Sequence, residues 1–100
     1  MPTTEIPYDS ADHFGTPEAQ AELLADAVDA EEPRYLAHAL GIIARARGMT
    51  QLAEDTGIKR QALYRALSSD GNPTLDTIYK VTKALGLKVT VEREKQLEAS

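Results

Sequence analysis

Cysteine is absent, which excludes both a disulfide framework and a thiolate metal site and fits a reducing compartment. Tryptophan is also absent and phenylalanine occurs once, so a core must be assembled from Leu, Ile, Val and Ala packed between helices. That composition favours an all-α fold. No apolar run approaches the roughly 18 residues of a membrane span, and the acidic, proline-containing N-terminus lacks the basic-then-apolar order of a signal peptide. A soluble, cytoplasmic protein is expected. The chain has two histidines, His13 and His38, which are not placed on adjacent turns, and it has no phosphate-cradling glycine loop. No catalytic, metal-binding or cofactor-binding residue is therefore assigned, and a binding module is expected rather than an enzyme. His38, alone on its helix, reads as a structural residue.

Positive charge is missing from one third of the chain. Residues 1–33 hold nine carboxylates and no Lys or Arg, whereas residues 34–88 hold nine Lys and Arg against four carboxylates. The net charge of −5 therefore conceals two regions of opposite sign. One hundred residues suit a single domain with one modest core.

The first 15 residues, MPTTEIPYDSADHFG, carry two prolines and read as an extended arm with at most one helical turn after Asp9, pinned by Tyr8 and Phe14. Thr16-Pro17-Glu18 is a helix start: a hydroxyl cap, proline at the first helical position and a carboxylate in the first turn. Leu23, Leu24, Ala27 and Val28 share one face of this helix, and Glu22, Asp26 and Asp29 lie elsewhere. Pro33 opens a second helix with a broad apolar stripe of Leu36, Ala39, Leu40, Ile42 and Ile43, closed by Gly48. Gly41 within it costs roughly 1 kcal/mol relative to alanine in an exposed helix, which points to close approach of a neighbour.

The stretch MTQLAEDTGIKRQALYRAL, Met49 to Leu67, reads as two short helices bent about Gly57, with Thr50 capping the first. Ile58 turns inward. The second helix buries Ala62, Leu63, Ala66 and Leu67 and shows Arg60, Gln61, Tyr64 and Arg65 to solvent. Arg pairs bidentately with guanine and Gln with adenine, while Lys and Tyr reach phosphate, so this is the side-chain set that base and backbone readout in a major groove requires. After the loop Ser68 to Pro73, Thr74 caps a last helix whose inner face is Leu75, Ile78, Val81, Thr82 and Leu85, and Gly86 stops it. Leu87, Val89 and Val91 then alternate with Lys88, Thr90 and Glu92. That is a strand signal, and a lone strand must pair with a second copy or with another protein's sheet edge. The organisation expected is an arm (1–15), a domain with its C-terminal strand (16–92) and a flexible tail (93–100).

LAEDTGIKRQALYRAL followed by GNPTLDTIYKVTKALGL resembles the Xre/Cro, lambda-repressor-like DNA-binding domain. IARARGMTQLAEDTG with LYRALSSDGNPTLDTI is similar to addiction-module antidote proteins of the HigA type. The resemblance covers most of residues 17–91. It implies a five-helix helix-turn-helix domain in which Met49 to Thr56 braces a recognition helix at Lys59 to Leu67. Arg60, Gln61 and Arg65 would meet base edges, and Thr50, Lys59 and Tyr64 phosphates. Lys59 stands where the family usually has a Ser or Thr cap, and the bracing helix is two residues shorter at its start than the common form. The implied function is that of an antitoxin which neutralises a basic RelE/ParE/HigB-like toxin and, as a homodimer, represses its own operon by binding double-stranded operator DNA. The acid-only third suits the toxin role, through residues 1–32 or the strand 87–91. The alternative is a stand-alone phage-type repressor with no toxin partner.

Overall fold

The computed structural model describes residues 14–94, which form five helices and, among the described residues, no strand. In chain order these are α1 (Pro17–Asp29), α2 (Pro33–Arg47), α3 (Met49–Thr56), α4 (Arg60–Ala66) and α5 (Leu75–Ala84). The arm and tail expectations for residues 1–13 and 95–100, including the turn after Asp9 and the role of Tyr8, lie outside the described residues.

Helix α1 starts as the sequence dictates. Thr16 is extended, its Oγ1 accepts the Ala19 N–H at 3.2 Å, and Pro17 occupies the first turn, where no N–H is needed. Its buried stripe is centred on Gln20 and Ala27, seven residues apart. Val28, expected on that stripe, is instead 57% exposed. At 3.6 residues per turn it lies about 100° round from Ala27, beyond the reach of α2. Gln20 is 5% exposed and acts as a clamp: its Nε2 donates to the Phe14 carbonyl at 2.9 Å, and its Oε1 lies 3.5 Å from the Arg47 guanidinium. The chain then turns through Glu31 at φ 54 and extended Glu32, the backbone conformation that a following proline enforces, and enters α2. The Tyr35 phenol donates to the Asp26 carboxylate at 2.6 Å and ties α1 to α2. That hydrogen bond, then desolvation and the carboxylate's charge, raise the Tyr35 pKa above its usual value of 10.0.

Helix α2 is the central element. Residues 39–44 are buried without interruption, which on a helix means burial on every side rather than a single stripe. Leu40, Ile43 and Ala44 meet Met49 and Leu52 of α3, Leu63 and Leu67 from α4 and its end, and Val81 and Leu85 from α5 and its end. Only Gly48, at φ 114 and ψ 112, separates α2 from α3; its N–H bonds the Ala44 carbonyl at 2.8 Å and its own carbonyl accepts the Leu52 N–H at 3.1 Å. Thr50 is consequently not the cap it was expected to be. The helix begins two residues earlier than a Thr50 cap would place it, at Met49, because a glycine takes the positive φ without a Cβ penalty and this register turns both Met49 and Leu52 inward.

Thr74 caps α5, its Oγ1 accepting the Thr77 N–H at 3.1 Å, and Gly86 at φ 76 ends it, with the Leu87 N–H on the Thr82 carbonyl at 2.8 Å. Ile78, Val81, Thr82 and Leu85 face inward as expected, whereas Leu75 is 66% exposed. It lies in the first turn at the margin of the inner face, where no described helix covers it. The expected strand at Leu87 to Val91 is likewise not formed. Its backbone groups would need an adjacent strand edge, and none exists among the described residues. Leu87 alone packs on the core, leaving Val89 and Val91 in solvent.

Candidate nucleic-acid interface

The turn between α3 and α4 is built by three successive residues. Thr56 donates from Oγ1 to the Leu52 carbonyl at 2.8 Å and accepts the Ile58 N–H at 3.2 Å, closing the chain on both sides of the bend. Gly57 between them is left-handed, at φ 75 and ψ 8, the conformation that only glycine adopts without strain. Ile58 then packs against the core and fixes the direction in which α4 leaves. The role of Thr56 was not read from the sequence, although a threonine directly before a helix-ending glycine is a visible signal for it.

Helix α4 has seven residues, too few to persist without tertiary support. Leu63 and Leu67, 0% and 1% exposed, supply that support. Two glycines set how closely it docks. A Cβ at position 41 of α2 would fall within clash distance of the Leu67 carbonyl oxygen and 3.1 Å from the Leu67 Cβ, so Gly41 is the gap that receives the end of α4. A Cβ at position 71 would collide with the carbonyls of Ala66 and Arg65, so the following loop folds directly under the same end.

This docking leaves Arg60, Gln61, Tyr64 and Arg65 exposed along α4, with Lys59 exposed in the extended residue that precedes it. Lys59, whose ammonium carries no acceptor, makes no side-chain cap at this helix start. The Arg60 guanidinium carbon lies 5.6 Å from the Tyr64 ring centroid, a cation–π contact one turn apart worth roughly 0.5–1 kcal/mol at an exposed site. From Gly57 to Leu67 the chain contains no carboxylate. Five of the six residues singled out from the sequence are thus brought onto one helix and its leading residue. Thr50 is exposed in the first turn of α3, at the opposite end of that helix from the bend. Nearby Gln51 is engaged within α3, its Nε2 donating to Asp55 Oδ1 at 2.9 Å.

The remaining concavities are shallow. A groove of about 360 Å³ between α3 and α5 is lined by Asp55, Thr56, Lys80, Lys83 and Ala84, and a smaller one of about 140 Å³ runs beside Arg47, Gln51 and Leu85. Among the described residues no group of three or more His, Asp or Glu side chains is placed to hold a metal ion. His38 is half-buried, and its Nδ1 has no hydrogen-bond partner among the described residues. Desolvation, then the charge of Arg45, hold its pKa below the usual 6.5. No described helix is long and apolar enough to cross a membrane.

Among the described residues this geometry defines a small all-helical body with an exposed basic face on one short, tightly docked helix, opposed in charge to the acidic surface of α1. Residues 4–93 match the model of a family described as probable addiction module antidote protein, and the chain belongs to that family. It is also 42% identical over 88 residues, 88% of this chain and 91% of the relative, to an uncharacterised protein of Haemophilus influenzae strain Rd. No solved structure gives a significant match. An antidote implies a toxin as its partner.

Proposed function

We propose that the chain is the antitoxin of a type II toxin–antitoxin pair, that it neutralises a basic toxin of the RelE/ParE/HigB kind, and that it binds operator DNA as a homodimer to repress its own operon. In this reading α3 and α4 are the two helices of a lambda-repressor-like helix-turn-helix, close to the HigA type, and the protein acts by binding rather than catalysis. The observation that carries the DNA half is the face of α4, where Arg60, Gln61, Tyr64 and Arg65 project together with Lys59 and no carboxylate intervenes. Arg60, Gln61 and Arg65 supply base readout. Lys59, Tyr64 and Thr50 position the protein on phosphates. Family membership supports the toxin half, and the exposed carboxylates Glu18, Glu22 and Asp29 of α1 suit a basic partner.

A symmetric pair of copies on DNA requires an operator with half-sites about one helical turn, roughly 34 Å, apart. The test has two arms. Co-expression with the neighbouring reading frame should yield a complex with a small basic protein, and a shift assay on the upstream DNA should show sequence-preferring binding that Arg60→Ala relaxes. Toxin binding left intact by deletion of both residues 1–32 and 87–91 would refute the assignment of the toxin surface. DNA binding without any toxin partner would favour a stand-alone repressor.

A further inference from the structure

Arg60 and Arg65 both lie exposed on α4, yet their surroundings differ. Arg60 opens the helix, with its guanidinium carbon 5.6 Å from the centre of the Tyr64 ring. Among the described residues no other cation stands over an aromatic ring, and the residues one turn to either side of Arg65 are Gln61 and Ser69. Helical side chains lean toward the N-terminus, so the ring of residue 64 is directed back over the turn that Arg60 begins. Tyr64 is 40% exposed, and its neighbour Leu63 is fully buried and fixes the rotation of the helix. With two side-chain torsions, the tyrosine has little freedom left to lose. No ion pair or side-chain hydrogen bond engages Arg60 among the described residues, so the ring is what restrains it.

We propose that Tyr64 is a positioning residue, whose ring holds the Arg60 guanidinium in place for base readout and so sets sequence preference through Arg60. The ring acts separately from the hydroxyl, which reaches phosphate. This deepens the DNA half of the proposed function and rests on that reading. The first turn of a recognition helix is the part that meets base edges, and an arginine there reads guanine by aiming its planar fork at O6 and N7. A carboxylate partner would occupy the donors of that fork, whereas stacking on a ring face leaves them free. An unrestrained arginine turns to whatever acceptor is near, a phosphate or an adjacent base, and tolerates a mismatch. A restrained one cannot re-aim, so a wrong base leaves its donors unpaired. The base pair read by Arg60 should therefore be discriminated more sharply than the one read by Arg65, by about two- to fivefold, the equivalent of a cation–π contact at an exposed site.

The pair is tested first without DNA. In NMR spectra of the full chain the Arg60 side-chain protons should carry a ring-current shift that Tyr64→Phe keeps and Tyr64→Leu removes, with the thermal melt little changed because Tyr64 lies outside the core. Binding is then measured on the upstream DNA and on versions of it with one base pair altered at a time. At the base pair whose preference Arg60→Ala abolishes, Tyr64→Leu should lower discrimination about two- to fivefold, and adding Tyr64→Leu to Arg60→Ala should lower it no further. Tyr64→Phe should weaken all sequences alike yet keep the preference, a rescue that separates the ring from the hydroxyl. Arg60 protons without a ring-current shift, full discrimination in Tyr64→Leu, or discrimination lost equally at every base pair would overturn the proposal while DNA binding itself stands. Failure of the wild type to bind the upstream DNA at all would instead overturn the DNA half of the proposed function, and this inference with it.

Discussion

The outer faces of α1 and α4 are both exposed helical surfaces of one small body, and they are opposite in sign and in support. From Thr16 to Pro33 the chain offers six carboxylates and no cation, and α1 packs mainly on α2 through Gln20, Leu23, Leu24 and Ala27. From Gly57 to Leu67 it offers three cations and no carboxylate, on a helix of seven residues held by a glycine turn, two fully buried leucines and the gap at Gly41. The difference teaches that net charge is the wrong quantity for a chain of this kind. A total of −5 would repel DNA if it were spread evenly, but segregated charge leaves two surfaces of opposite sign, each suited to a partner of the other sign. It also teaches that the α4 face is the more fragile, because its position depends on close backbone contact rather than on a long amphipathic stripe.

The largest effect expected follows from that fragility. Gly41→Ala would gain up to about 1 kcal/mol in an exposed helix, but here the added methyl meets the Leu67 carbonyl and should destabilise the fold by about 1–3 kcal/mol, seen as a melting-temperature fall of about 4–8 °C per kcal/mol. Below the melt the variant should lose DNA affinity while keeping the surface of α1, which separates the two faces. Next, Arg60→Ala should remove about 1–3 kcal/mol of base discrimination, whereas Lys59→Ala should weaken all sequences alike, both measured by competition between operator and unrelated DNA. If the two variants behave identically, the division of roles along α4 is wrong. Smaller again, Glu22→Lys combined with Asp29→Lys should weaken toxin capture by about tenfold, mainly through association rate and most clearly at low salt, without changing base preference. Toxin capture unaffected by both reversals would reduce the acidic surface to a solvated one.

The smallest effects concern the scaffold beneath the faces. Thr16→Ala and Thr74→Ala each remove a hydroxyl that accepts a first-turn N–H and should cost about 1 kcal/mol, read from denaturant midpoints. His38 gives a pH signature. Its folded-state pKa lies below the usual 6.5, so the unfolded chain binds the proton more readily, and the resulting loss of stability develops as pH falls below about 6.5 and is absent above it. His38→Asn should flatten that part of the melting-temperature profile between pH 7.5 and 5.5.

Much of this architecture is legible in the sequence because it rests on local chemistry. Thr16-Pro17, Pro33, Gly57, Thr74 and Gly86 mark helix ends through capping and backbone conformation alone, and each stands where that chemistry places it. The polar set on α4 was legible because Leu63 and Leu67 fix which side faces inward. What was not legible depends on distant parts of the chain. That Gly41 makes room for Leu67 requires two elements to be placed, and the sequence shows only that some neighbour comes close. Thr50 is a good cap by residue type, yet Gly48 two residues earlier takes the cap position and Met49 is buried. Leu75 and Val28 carry inward-facing spacing, but periodicity does not say where the covering helix stops. The alternation after Leu87 is real, but a strand is a property of a pair and has no partner among the described residues.

The central claim is that the α4 face binds DNA through defined phosphate and base contacts despite the chain's net negative charge. It is tested most directly by measuring the affinity of the full chain for its upstream DNA across a salt series, wild type beside Lys59→Ala. Each phosphate neutralised contributes about −0.9 to the slope of log K against log salt, so the wild type should show a steep slope and the variant one shallower by about 0.9. A wild-type affinity indifferent to salt, or a slope that Lys59→Ala leaves unchanged, would contradict it.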